Sequence, residues 1–173
     1  MTDLVVRTRQ SFPCPASTVW SLLCDSRMED RSAILFKLGV PQPVQCRVTD
    51  GHGGVGSERE CISDQGVVHQ RILVWLPGER LSFRMEQTDM RFQKFVREIV
   101  DTFDLVATGA GVVVTRTTEV GTKGRFQFLK KLVLYLGLKK VHRYVFRDWL
   151  RVAQLGIPPL GPEEGGSPTM PSS

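Results

Sequence analysis

From Leu4 to Val120 apolar and polar positions mostly alternate in short stretches. After Gly124 the spacing of apolar residues lengthens to three or four. Leu4 to Gln10 is rich in β-branched residues and predicts a first strand. Pro15 suits a first helical turn, and Val19, Leu22 and Leu23 follow at helical spacing beside Trp20, so a short helix is predicted over Ala16 to Cys24. A second short helix is predicted over Met28 to Ile34, with Pro41 and Pro43 closing it off. Six further strands are predicted: Val44 to Thr49, Ser57 to Ser63, Val67 to Leu76, Arg80 to Gln87, Phe95 to Ala107 and Val112 to Val120. The breaks between them are turn signals (Gly51 to Gly56, Asp64-Gln65-Gly66, Pro77-Gly78, Gly109 and Gly111), so neighbours pair as antiparallel hairpins. Leu138, Val141, Val145, Trp149 and Val152 then form one stripe, widened by Phe146, Leu150 and Ala153. They predict a long amphipathic helix over Phe126 to Leu155, with Gly137 as a place for a bend.

This order predicts an α+β fold: a curved antiparallel sheet of about seven strands wrapped around a long C-terminal helix, with two short helices after the first strand. The helix covers part of the inner face of the sheet and the short helices plug one end. A cavity is expected where helix and sheet do not touch. The domain is expected to end at residue 155. Residues 156–173 hold five of the ten prolines and four glycines, a composition that predicts a disordered tail.

The chain has 173 residues, enough for one core without help from disulfides or metal. With 41% hydrophobic and 24% charged residues it is an ordinary globular composition, which excludes global disorder. The longest apolar run, Leu132 to Leu138, falls far short of the roughly 20 residues that span a bilayer. The N-terminal residues show no signal-peptide pattern, so a cytoplasmic protein is expected. In that compartment Cys14, Cys24, Cys46 and Cys61 are expected as free, mostly buried thiols. No His and Cys pair has zinc-ligand spacing, so no metal site is assigned, and no motif calls for a cofactor. The glycine-rich stretch at 51–56 joins two strands rather than a strand to a helix, which argues against a phosphate loop.

The net charge of +5 is concentrated. Nine Lys or Arg and one acid, Asp148, lie between Lys123 and Arg151, whereas residues 1–122 carry 14 bases and 15 acids, a sum of −1. The segment is either a solvated cationic helix face or a surface for an anionic partner.

The chain resembles the SRPBCC superfamily, the helix-grip fold shared by START domains, birch-pollen-allergen-like proteins and polyketide cyclase/dehydrase-like proteins. The resemblance covers about residues 4–155. Its carriers are Phe12-Pro13-Cys14-Pro15-Ala16-Ser17-Thr18-Val19-Trp20-Ser21-Leu22-Leu23, Gly56-Ser57-Glu58-Arg59, and the hairpin Val74-Trp75-Leu76-Pro77-Gly78-Glu79-Arg80-Leu81-Ser82-Phe83. It implies a deep apolar pocket between the sheet and the last helix. In similar sequences the Gly-x-x-Arg strand is followed by a glutamate in the next strand. Here His69 or Gln70 stands in that place, a departure from the pattern.

Period-two alternation assigns pocket faces. Leu81, Phe83 and Met85 are expected to point inward. So are Leu73 and Trp75 with His69 and Arg71, and Ile99, Phe103 and Leu105 with Arg97 and Asp101. Val112, Val114 and Val120 share their face with Arg116 and Thr118. From the helix, Val141, Val145 and Trp149 complete the expected lining. Arg59 is read either as an internal salt bridge, to Glu119 or Asp101, or as the group that binds a ligand carbonyl, phenolate or carboxylate. His69 is the natural proton carrier if chemistry occurs, and Cys61 on the adjacent strand is expected to face the same way.

Three functions are compatible with this reading. The first is binding of a small hydrophobic molecule (a lipid, sterol, quinone or polyketide) for carriage or sequestration. The second is a polyketide cyclase or dehydratase in which His69 moves a proton and Arg59 polarises a carbonyl. The third is docking to an anionic membrane or acidic partner through Phe126, Phe128, Lys130 and Lys131, peripheral at membranes. Nucleic acid is disfavoured, because no aromatic platform interleaves the charges on a strand.

Overall fold

The computed structural model describes residues 3–27, 41–49, 52–124 and 127–155. Its elements are β1 (Leu4–Phe12), α1 (Ala16–Cys24), β2 (Asp25–Arg27), β3 (Pro43–Val48), β4 (Glu58–Ser63), β5 (Gly66–Leu76), β6 (Arg80–Thr88), β7 (Val96–Thr108), β8 (Gly111–Thr122) and α2 (Gln127–Leu155); a 3-10 turn at Arg91–Lys94 precedes β7. The strands form one sheet in the order β1-β8-β7-β6-β5-β4-β3-β2, antiparallel at every step. Helix α1 covers the residues expected of it. The eighth strand is β2, three residues leaving α1 that pair with β3; too short for an alternation signal, it was not expected. The predicted helix at 28–34 and the tail at 156–173 lie outside the described residues.

Pairing of β1 with β8 draws the chain's start onto the last strand, and α2 packs across both. The core lies between the inner sheet face, α1 and the C-terminal half of α2. Phe12 meets Phe146 edge to face, and Trp149 packs on Phe103 and Phe146 with ring centroids 5.8 and 6.0 Å apart. Trp75 stands edge-on to Trp20 of α1 at 5.0 Å. Its indole also explains one glycine of the 51–56 turn. Gly53 has φ +70°, and a Cβ there would collide with the Trp75 ring.

Register shifts reset the faces, among them three in β5, β6 and β7. In β5, Leu73 has no partner between Ile72↔Phe83 and Val74↔Ser82. This lets Ile72 and Trp75, an odd number of residues apart, both face inward. In β7 a shift between Val96 and Glu98 turns Arg97 out, and in β6 Glu86 is passed over between Met85 and Gln87.

Candidate functional site

The inner face carries a row of polar and aromatic side chains across five strands. Arg59 of β4 is opposite Gln70 of β5, Phe83 of β6 follows, and Phe103 of β7 is opposite Arg116 of β8. The Arg59 guanidinium carbon lies 4.5 Å from the Phe83 ring centre, Phe83 lies 6.0 Å from Phe103, and Arg116 lies 5.1 Å over Phe103. Two cations thus flank a pair of mutually tilted rings, each on a ring face.

The two arginines differ in their counter-charges. Arg116 grips Asp101 with both arms: Nη2 donates to Oδ2 at 2.9 Å and Nε to Oδ1 at 3.2 Å. The Thr118 hydroxyl also donates to Asp101 Oδ1. Its oxygen must then accept from His142 Nε2, 2.7 Å away, while His142 Nδ1 accepts from the Thr8 hydroxyl at 3.0 Å. The chain runs from β1 through α2 to β8 and β7. Burial, and secondly the Arg116 charge, push His142 down to about 3, so the ring is neutral at pH 7. Burial alone would raise the Asp101 carboxyl. The Arg116 charge and its hydrogen bonds outweigh that and hold it below the usual carboxylate range.

Arg59 is 4% exposed. Its Nη1 donates to Gln70 Oε1 at 2.6 Å and contacts Cys61 Sγ at 2.9 Å, and its Nη2 donates to the Leu23 carbonyl at 3.3 Å. Every one of these partners is neutral, and among the described residues Nε has no acceptor. Of its two expected salt-bridge partners, Asp101 is taken by Arg116 and Glu119 is exposed. Burial first, then the Arg116 charge, lower Arg59 to about 10, which still leaves it a cation at neutral pH. Trp149 Nε1 is a second buried donor lacking an acceptor among the described residues.

Leu81, Phe83, Asp101, Phe103, Val114, Val145 and Trp149 are buried on the core side. Ile99, Arg116 and Val141 are partly covered there, Val141 against the core cluster, while Met85 is half-buried opposite Gln70.

Others are corrected. His69 faces out, its side chain 48% exposed and its Nδ1 3.9 Å from Glu60 Oε1. It belongs to an outer lattice in which Arg47 pairs with Glu60, Arg71 with Glu58 and Glu86, and Arg84 with Glu86. Arg71 and Leu73 face out with it, because the bulge at Leu73 inverts every residue before it relative to Trp75. Arg97 is half-exposed and reaches toward Asp3 at 3.9 Å. Cys61 is no free thiol: it is disulfide-bonded to Cys46, its cross-strand partner, with Cα atoms 4.1 Å apart. Register, which sequence spacing did not reveal, brings the two together. A Cys61–His69 nucleophile therefore has neither a free thiol nor a shared face. Cys14 and Cys24 are the free thiols; burial raises both, Cys24 to about 11.

The expected hollow is also revised. Midway along the sheet, Phe12, Phe83, Phe103, Phe146 and Trp149 fill the space between sheet and helix. A depression of about 380 Å³ lies instead where β6 and β7 part company beyond Arg84↔Val100, lined by Arg84, Met85, Glu86, Arg97 and Glu98. Among the described residues no group of His, Cys, Asp or Glu could hold a metal, and no helix is long and apolar enough to cross a membrane. Phe126 and the Lys130 side chain lie outside the described residues.

No family profile and no curated protein matches the sequence itself. The backbone is nonetheless similar to solved structures. An aromatase/cyclase from Streptomyces sp. R1128 is 13% identical, with a TM-score of 0.61 over 94% of this chain and 98% of that one. A START superfamily protein from Mycobacterium smegmatis is 15% identical, with a TM-score of 0.61 over 88% of this chain and 99% of that one. A protein from Mesorhizobium loti is 16% identical, with a TM-score of 0.61 over 87% and 97%. At these identities the likeness is one of fold. The chain shares the helix-grip fold of these structures.

Proposed function

We propose that this protein binds a small hydrophobic molecule bearing an acidic or carbonyl head, for carriage or sequestration, with the head against Arg59. The supporting observation is a buried guanidinium that, among the described residues, has only neutral partners and an unsatisfied Nε. An uncompensated interior charge is costly, and a guest carboxylate, phenolate or carbonyl offsets that cost. The Phe83 ring supplies an apolar face beside it. The fold shared with a START superfamily protein and an aromatase/cyclase supports a lipid, sterol, quinone or polyketide as the class of guest. On this reading the protein touches membranes only peripherally.

The enzymatic alternative, a polyketide cyclase or dehydratase, loses its proton carrier with His69 on the outer face. His142 does not replace it, since both ring nitrogens are engaged and the ring stays neutral down to about pH 3.

The test is a fluorescence titration of the protein, stripped of bound lipid, with cis-parinaric acid and with its methyl ester. The acid should bind at least about tenfold more tightly, since a charge-assisted contact is roughly twice as strong as a neutral one. Arg59→Gln should abolish the difference. Equal affinity of the wild-type protein for acid and ester would contradict the role of Arg59.

A further inference from the structure

The first ten residues of α2 carry apolar side chains that the fold does not use. Phe128 is 84% exposed, Val133 62% and Leu136 59%, and Leu129, Leu132 and Tyr135 are exposed with them. The core contacts of α2 begin later, with His142, Tyr144, Val145, Phe146 and Trp149. At about 100° per residue the six exposed side chains fall in one arc of roughly 160°. Leu134, partly buried, lies opposite that arc, on the protein side. Lys131 borders the arc, and Lys139, Lys140 and Arg143 continue it one turn further on. Lys139 is held there by donating to the Arg7 carbonyl of β1. Among the described residues the acids on this side are Asp3, engaged by the Thr122 backbone and near Lys131, and Asp148 of α2 itself, which is buried.

We infer that the N-terminal half of α2 docks on an anionic lipid bilayer, its apolar arc entering the headgroup–acyl boundary and its basic band meeting lipid phosphates. An exposed cluster of large apolar residues needs a partner. A broad apolar arc with a cationic band at one end is the pattern of an interfacial helix, immersed by burial of apolar area and held by charge. Charge complementarity selects an anionic surface over a neutral one. This deepens the peripheral-membrane part of the reading above, and its evidence is the surface of α2, not the Arg59 site.

The experiment is co-sedimentation of the full chain with vesicles of phosphatidylcholine alone, and with about one third phosphatidylglycerol. Three proteins are compared: wild type, Lys140→Glu/Arg143→Glu, and Val133→Ser/Leu136→Ser. All four substituted side chains lie outside the buried core, so thermal melting should report intact folds. Wild type should bind the anionic vesicles at least about tenfold more tightly than the neutral ones, with affinity falling as salt rises. Each double variant should lose at least about tenfold on anionic vesicles. No wild-type binding, or equal binding to both vesicles, overturns the inference. So does a concentration-dependent dimer that the Ser variant dissolves while vesicles are ignored, since the arc then joins two copies of the chain. Loss of vesicle binding with cis-parinaric acid binding retained sinks the docking alone. The converse sinks the carrier reading alone.

Discussion

Arg59 lies 4.5 Å above the ring centre of Phe83, almost wholly buried, with Gln70 and the Leu23 carbonyl as its oxygen partners. The cation–π contact and two neutral acceptors do not replace the water and counter-ion it has given up. Arg59→Met keeps most of the volume and removes the charge. The variant should be at least as stable as wild type, with a gain of about 1 kcal/mol or more in urea unfolding, while its affinity for a hydrophobic acid falls at least about tenfold. A large loss of stability in Arg59→Met would show instead that the guanidinium is a structural tie.

The Arg116–Asp101 pair should behave in the opposite way. Arg116→Met strands a buried carboxylate and should cost about 3–5 kcal/mol in urea unfolding. Arg116→Met combined with Asp101→Leu removes both charges and should recover a substantial part of that loss. Equal destabilisation by the single and double variants would contradict a charge-based account.

His142 sets an acid limit on stability. Its folded value, about 3, lies below the ordinary 6.5. Between those values the unfolded chain takes up a proton that the folded chain does not. Stability is therefore complete above pH 6.5 and declines as pH falls through that window, by up to about 1.4 kcal/mol per pH unit from this group. The depressed Asp101 carboxyl adds its own loss only below its ordinary value of 3.8. Urea midpoints from pH 7 to pH 4 should fall for wild type and flatten for His142→Gln. Parallel slopes for the two proteins would refute this assignment.

The four cysteines should divide into two pairs under alkylation. Native protein should react slowly with iodoacetamide, because Cys14 and Cys24 have raised thiol values from burial and Cys46 and Cys61 are joined. Unfolding without reductant should expose two reactive thiols, and unfolding with reductant all four. Reduction of the native protein should lower stability by about 3 kcal/mol, since the bridge closes a loop of about 15 residues. Four thiols in the unreduced unfolded protein would rule out the disulfide.

The fold was legible because its signals are local. Turn residues at Pro77-Gly78, and the change of period after Gly124, mark elements without reference to the rest of the chain. Ser57-Glu58-Arg59 also placed an arginine on a strand that faces inward. What failed were properties set by pairing. A single bulge at Leu73 inverts His69, Arg71 and Leu73, and no residue type in β5 announces it. The register that sets Cys46 against Cys61 depends on the turn between β3 and β4. His142 was overlooked although its position betrays it, four residues after Leu138 and three before Val145 on the buried stripe. A polar residue on such a stripe needs partners, and Thr8 and Thr118 supply them.

Native mass spectrometry of protein purified without detergent addresses the guest most directly. The predicted result is a wild-type mass carrying an adduct that extracts as a hydrophobic acid or carbonyl compound, and an Arg59→Met protein at its bare mass. Bare mass for both proteins, together with no uptake of added cis-parinaric acid, would mean that the interior around Arg59 admits no guest.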